Sequence, residues 1–477
     1  MRLTRHLATS HLALMAALSV VGTAAFGDTV PPSQLTAVNV SGTTPMSAAA
    51  VDLAAMGYSE LEFYTEGTAQ RYRGAMDNEF ETAEVIDGGH PYRSRVLLRR
   101  PTPEAFNGTL VVEWTNVTAG QDIDFAFAEM HEHLLTQGYA VAVVSAQRMG
   151  VERLKTWSPE RYAGLSVDAE NTDPQTGGEI DINVGVPGNW ADPLSWDVYS
   201  QTVAALTDTE AANAPLQGYE IETVVALGQS QSARRLTSYY NTIQPLTGTF
   251  DAFLFDDLAG QLRDDLPIPA ITVNSEVLAD MFSPAQPSEY VRIWELAGSA
   301  HSSVYGAEYV NRMVLRDASY PSETGPLSFT DTLASQNCDL PPSYSKVDNG
   351  AALAAALVAL EAWAENGTPA PASQLFARDA AGDVQRDAQG LPIGGLLLPE
   401  YSVPSTTYAI NGPSVFCMLS GYSLDLTPEE MTARYGTSQA YAEAVDTAAQ
   451  ALVEAGYLLP FDAAASLERA KAVEFFQ

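Results

Sequence analysis

Few of the usual markers of chemistry occur in this chain. Its 477 residues include only two cysteines, Cys338 and Cys417, and six histidines. The cysteines have neither CxxC nor metal-ligand spacing, which argues against a zinc site. There is no Walker loop and no GxGxxG run, so nothing points to a nucleotide phosphate or a dinucleotide. HExxH is absent as well. His131-Glu132-His133 puts its two histidines on different faces of a helix, and it reads as a polar face. Asp379, Asp383 and Asp387 lack the alternate-residue acids of a calcium loop. Basic residues are scarce, with Lys and Arg totalling 24 against 59 Asp and Glu, a formal charge of −35. A polyanion of this size repels nucleic acid and anionic membrane surfaces. Its acids are spread along the chain, so they form a solubilising surface and not an interaction arm. The expectation is a protein with no cofactor, no metal and no nucleic-acid partner.

Long apolar runs are also missing, except at the start. Arg2, Arg5 and His6 give a basic opening, residues 12–26 are mostly apolar, and Ala25 and Gly27 provide small residues before a cut at Asp28. This three-part layout predicts a secretory signal peptide over residues 1–27. The mature chain would then be periplasmic or extracellular, with no membrane span. In an oxidising compartment Cys338 and Cys417 could form one disulfide, or could stay as two buried thiols; the sequence leaves both open.

What is present is a globular composition, 46% hydrophobic and 17% charged, which excludes wholesale disorder. Residues 28–477 read as one domain. The polar stretch to Pro45 reads as a loosely held arm, and 61–64 and 92–98 as strands. Apolar strands then alternate with helices. Strands are expected at 109–114 (TLVVEW), 139–145 (YAVAVVS), 222–227 (ETVVAL), 250–255, 270–274 and 291–296 (VRIWEL), and helices at 125–137 and 195–206. That alternation implies a mostly parallel sheet covered by helices on both faces, an α/β fold. Residues 146–195 break the regularity with several Pro and Gly turns and read as an insertion able to form a lid. Residues 302–477 follow as an extension, with helices at 307–315 and 351–365, a hairpin near 379–390 and a helical end from Pro428.

The clearest chemical signal is Gly228-Gln229-Ser230-Gln231-Ser232, between the strand ETVVAL and a helix beginning ARRL. A serine on a tight strand-to-helix turn projects its hydroxyl above the sheet, and the flanking positions must be small. Gly228 satisfies that demand, and Ser232 stands where glycine is usual. This points to the α/β-hydrolase fold with Ser230 as nucleophile. A serine hydroxyl needs a base, and the base an orienting carboxylate. In this fold the order is Ser, acid, His. Only His301 lies beyond Ser230, and it follows the strand VRIWEL. Glu276, two residues past the strand ending at Asn274, is the favoured acid. Asp280 is the alternative, and Asp256 and Asp257 are weaker. The oxyanion hole is expected from the backbone N–H of Gln231 and from the loop after TLVVEW, near Thr115. No HGGG run is present.

The chain also resembles a family of exported bacterial proteins described as alpha/beta hydrolase domain proteins. The matching stretches are WDVYSQ (196–201), GQSQSARRL (228–236), WELAGSAH (294–301) and AGYLLPFDAA (455–464). The resemblance implies a Ser–Glu–His triad, mapping onto Ser230, Glu276 and His301. It implies that 302–477 is a family extension packed on the core. It supplies no substrate, and residues 168–189 look longer than the family's insertion. The function expected is serine hydrolysis of a small or polymeric carboxylic ester through an acyl-enzyme. The rivals are lactone, amide or polyester hydrolysis by the same triad, and a non-catalytic binding protein.

Overall fold

Nine strands form one sheet. β1 (Gln34–Ala37), β2 (Ser59–Arg73), β3 (Glu84–Arg100), β4 (Thr109–Trp114), β5 (Ala140–Val144), β6 (Thr223–Gln229), β7 (Ala252–Asp256), β8 (Ala270–Ser275) and β9 (Val291–Leu296) lie in the order β1-β2-β3-β5-β4-β6-β7-β8-β9. The pairs among β4 to β9 are parallel, and β1, β2 and β3 add antiparallel. These coordinates are a computed structural model, which describes residues 30–475 apart from 41, 77–79, 183–189, 258–259, 283–285, 335–337, 341–342, 389 and 410–413. The expected signal peptide, residues 1–27, lies outside the described residues.

The parallel strands read as continuous apolar runs because both faces are covered. Along β4, Leu110, Val112 and Trp114 feed one core and Val111 feeds the other, as the two-residue period of a strand requires. The helices follow in chain order. α1 (Phe125–Thr136), α2 (Arg148–Trp157), α3 (Pro159–Tyr162) and α4 (Ser195–Thr207) lead to the site. α5 (Gln231–Ser238), α6 (Gln244–Thr247), α7 (Glu276–Met281) and α8 (Val304–Arg316) surround it. α9 (Phe329–Ala334), α10 (Asn349–Asn366), α11 (Pro399–Ser402) and α12 (Val415–Ser420) belong to the extension, as do α13 (Pro428–Tyr435), α14 (Ser438–Ala455) and α15 (Pro460–Lys471). The α4 and α5 residues Trp196, Val198 and Leu236 pack on one face of the sheet. On the other, α1, α8 and α10 contribute Leu134, Tyr309 and Leu353.

Three local differences from the sequence reading have physical causes. β2 and β3 are far longer than the short apolar pieces at 61–64 and 92–98, because half-buried strands carry alternating polar residues. Four of their charges are buried: Arg95 and Arg99 are paired with Asp122 and Asp124, Arg71 with Asp87, and Glu62 with Arg161. Part of the expected N-terminal arm is β1, docked antiparallel on β2. Among the described residues, the segment near 379–390 shows no strand ladder, only the isolated bridges Arg378–Val384 and Arg386–Pro392.

The segments that carried the family likeness meet in space. Arg235 of GQSQSARRL lies 4.1 Å over the Trp196 ring of WDVYSQ. Trp294 of WELAGSAH packs edge-on to Tyr457 of AGYLLPFDAA, with ring centroids 5.1 Å apart. Arg235 also takes Asp181 Oδ1 at 2.6 Å and Ser195 Oγ at 2.5 Å. Among the described residues of 146–195, then, the insertion ties down the helix after the serine, and none of them lines the cavity described next.

Candidate active site

β6 runs buried to its end and turns at Ser230. Ser230 has φ 58° and ψ −114°, a conformation that L-residues avoid and that a nucleophile turn requires. The helix leaves the turn so closely that a Cβ on Gly228 would sit 2.9 Å from Leu236 Cδ1 and 3.1 Å from the Ser232 carbonyl carbon. A side chain at that position would press on Leu236 and on the first turn of the helix. The serine that replaces the second glycine is put to use. Ser232 Oγ accepts from Gln229 N–H at 3.0 Å and donates to the Gln229 carbonyl at 2.9 Å, closing the turn on itself.

Ser230 and His301 line one cavity of about 340 Å³. The histidine arrives on the loop after β9, where its N–H donates to the Leu419 carbonyl. Its Nδ1 lies 2.5 Å from Asp257 Oδ2. Asp257 follows β7 directly, has φ 58°, and is held by Ser275, whose N–H and hydroxyl reach Oδ1 at 2.7 and 2.8 Å. The carboxylate facing the imidazole therefore comes from the end of β7.

Glu276, the favoured acid from sequence, is turned elsewhere. As the first residue of α7 it accepts from the Gly298 N–H at 2.7 Å and pairs with Arg386 at 2.7 Å. Asp280 pairs with the same arginine at 3.1 Å. Both face a second hollow beyond Gly298 and Ser299, on the far side of the histidine loop. The assignment of Glu276 is corrected accordingly: a helix start fixes the direction of its first side chains, and here that direction is away from His301. Of the two weaker candidates after the strand FDAFLF, Asp257 is the one that reaches the ring. Asp256 stays inside it, its pKa pushed well above the usual range by burial and by its neighbour Asp257.

The oxyanion positions divide in a similar way. Gln231 is the first residue of α5, where a helix leaves its leading N–H groups to outside partners. Thr115 does not reach the cavity. Its N–H goes to the Val144 carbonyl and its hydroxyl to Asp122. Two residues on, the Val117 N–H points at Gln231 Oε1, 3.4 Å away, and so lies beside the elbow.

The cavity walls are largely apolar. Phe125, Tyr320, Phe329, Leu333, Phe416 and Leu419 contribute, and no Asp, Glu, Lys or Arg lines it among the described residues. Much of this wall comes from the extension beyond His301, through α9 and α12. Cys338 and Cys417 join the two segments in a disulfide with a Cα separation of 5.4 Å.

The sheet order, the serine turn and the histidine loop agree with one family. A model of the alpha/beta hydrolase domain matches residues 29–468. The chain belongs to the alpha/beta hydrolase domain family. No curated protein matches it. Among solved structures, a Bacteroides fragilis protein assigned as an acetyl xylan esterase is similar at 10% identity and a TM-score of 0.29, over 56% of this chain and 70% of its own. A mutant of the rice cell-wall-degrading esterase LipA from Xanthomonas oryzae is similar at 11% identity and a TM-score of 0.23, over 47% of this chain and 49% of its own. Likenesses this slight decide neither fold nor activity.

In this alpha/beta hydrolase the remaining histidines near the sheet have structural places. The His131 ring packs on Tyr309 and the His133 ring on Tyr139. Burial pulls the His133 pKa down to about 4. Among the described residues no group of three His, Cys, Asp or Glu could hold a metal ion, and no helix is long and apolar enough to cross a membrane.

Proposed function

We propose that this alpha/beta hydrolase cleaves an uncharged carboxylic ester through an acyl-enzyme on Ser230. The observation that carries the proposal is the 2.5 Å contact of His301 Nδ1 with Asp257, on a ring that shares its cavity with a strained Ser230. Ser230 Oγ attacks the ester carbonyl carbon, and its proton passes to His301 Nε2. Asp257 keeps the proton on Nδ1 and stabilises the imidazolium. The N–H groups of Gln231 and Val117 would receive the oxyanion, the latter exchanging Gln231 Oε1 for the substrate oxygen. His301 then protonates the departing alcohol. A water molecule repeats the sequence against the acyl-enzyme and releases the acid.

The apolar, uncharged walls favour esters whose acyl or alcohol part is itself apolar. Export by the segment 1–27 is part of the same proposal, and a disulfide is at home in an oxidising compartment.

The test is hydrolysis of a p-nitrophenyl ester panel by folded variants. Ser230→Ala and Asp257→Asn should each lower kcat by about 10³-fold or more, whereas Glu276→Gln should stay within about tenfold of the parent. Full activity in Ser230→Ala would end the proposal. A loss in Glu276→Gln that exceeds the loss in Asp257→Asn would return the carboxylate role to Glu276.

A further inference from the structure

Gln229 plays no part in that scheme, yet it rests against the imidazole. It is the last residue of β6, 2% exposed, and lines the cavity. Its Nε2 lies 3.1 Å from His301 Nε2 and 3.4 Å from Nδ1. Which end of an amide faces a neighbour has to be settled by its hydrogen-bond network. Here the backbone settles it. Thr118 N–H, which can only donate, reaches Asn116 Oδ1 at 2.8 Å. Asn116 Nδ2 is then the donor, reaching the Gln229 carbonyl at 3.0 Å and Gln229 Oε1 at 3.2 Å. The end of Gln229 that meets His301 is therefore its NH₂. Beyond the ring, the Ser275 N–H on Asp257 fixes that carboxylate as acceptor. Donors thus point one way from Thr118 N–H through Asn116, Gln229 and His301 to Asp257, a line in which each bond polarises the next.

We infer that Gln229 is a positioning residue for His301. Held by Asn116, its amide rests on the imidazole of the free enzyme, favours the Nδ1–H tautomer and opposes protonation of the ring. The inference builds on the acyl-enzyme reading above. The NH₂ end of an amide carries partial positive charge. It meets a neutral ring nitrogen favourably and an imidazolium unfavourably. Between turnovers the ring is kept able to accept a proton. During turnover, the proton taken from Ser230 Oγ is pressed onward to the oxygen of the leaving alcohol. The Oγ–H bond breaks as the Oγ–carbon bond forms, and the same proton ends on the alcohol.

Among the described residues, the titratable and charged groups packed around the histidine loop include Asp257 on the ring, Asp256 at the end of β7, Glu129 of α1 on Ser303, Glu276 on Gly298 with its partner Arg386, Tyr401 against Gly298, and the phenols of Tyr320 and Tyr344 across the cavity. All of them remain when Gln229 is replaced, so a difference between variant and parent isolates the amide.

Two measurements test this. The first is the rate of inactivation by a fluorophosphonate between about pH 5 and 9. The second is the titration and tautomer of His301, followed by NMR in protein labelled with ¹⁵N only at its histidines. Gln229→Leu should move the acid limb of the inactivation profile to higher pH by about half a unit or more, and the His301 ring signals should move with it. Gln229→Glu should move both further, and Asn116→Ala in the same direction. The Asn116→Ala/Gln229→Leu double variant should go no further than Gln229→Leu alone. A uniform loss of rate with unchanged limb and titration in Gln229→Leu would reduce Gln229 to a packing residue and overturn the inference. A parent that the fluorophosphonate never labels would refute the acyl-enzyme reading instead, and the NMR comparison would still decide the role of Gln229.

Discussion

Glu129 shows how much the histidine loop depends on single buried groups. This α1 carboxyl accepts from the Ser303 N–H at 2.9 Å and from the Ser303 hydroxyl at 2.5 Å. Gly306 and Gly350 pack so close that a Cβ on either would meet Glu129 at 2.1 and 2.0 Å. Burial is the main reason its pKa is raised from the ordinary 4.5 to about 7, against the lowering effect of the serine bonds. The folded protein thus keeps a proton that the unfolded chain sheds near pH 4.5. The resulting stabilisation is complete below that pH and is lost as pH rises through about 7. Glu129→Gln, which cannot ionise, should lack this decline. Between pH 5 and 7.5 the parent should lose up to about 3 kcal/mol relative to the variant, read from denaturant unfolding at a series of pH values. Parallel stability curves for the two proteins would contradict the assignment. At this scale the serine and the histidine that share the cavity were legible in the sequence. Ser230 announces itself by a demand for small neighbours, and His301 is the sole histidine downstream. Which carboxylate meets the His301 ring was not legible, because carboxylates follow both β7 and β8, and only the side-chain directions of Asp257 and Glu276 distinguish them.

At the scale of elements, the cavity is closed by pieces of the extension clasped together. The disulfide spans 79 residues of chain and connects the segment after α9 to α12. Those helices supply Phe329 and Leu333 on one side and Phe416 and Leu419 on the other. The Leu419 carbonyl also receives the His301 N–H. A cross-link of this span contributes about 4 kcal/mol by restricting the unfolded chain. The Cys338→Ser/Cys417→Ser double variant should melt several degrees lower. It should also show a KM for apolar esters raised about threefold or more, with kcat reduced less. An unchanged KM would mean that these walls do not hold substrate. The parallel strands were legible because each is a run of apolar residues bounded by turns. The lid expected of 146–195 was suggested by irregularity alone, and irregularity says nothing of direction. Asp181 and Asp192 of that stretch face Arg235 behind the serine helix, while the apolar cavity wall comes from Phe125 earlier in the chain and from Tyr320, Phe329, Leu333, Phe416 and Leu419 more than a hundred positions later.

Over the whole molecule, the excess of acid sits on a frame in which a few of the cations are buried in ion pairs. Arg95, Arg99 and Arg235 are almost wholly enclosed, each paired with an aspartate. Such pairs are invisible to a search for apolar runs, which is why the long β2–β3 hairpin was read as two short strands. The match of the family model to residues 29–468 covers sheet and extension together, in keeping with a cavity that needs both. The most direct test of the whole account is to treat the protein with a fluorophosphonate and locate the adduct by peptide mass spectrometry. The account predicts one adduct, on Ser230, formed at a rate that falls by about 10²-fold or more in His301→Ala. An adduct on another residue, or a rate indifferent to the loss of His301, would contradict it.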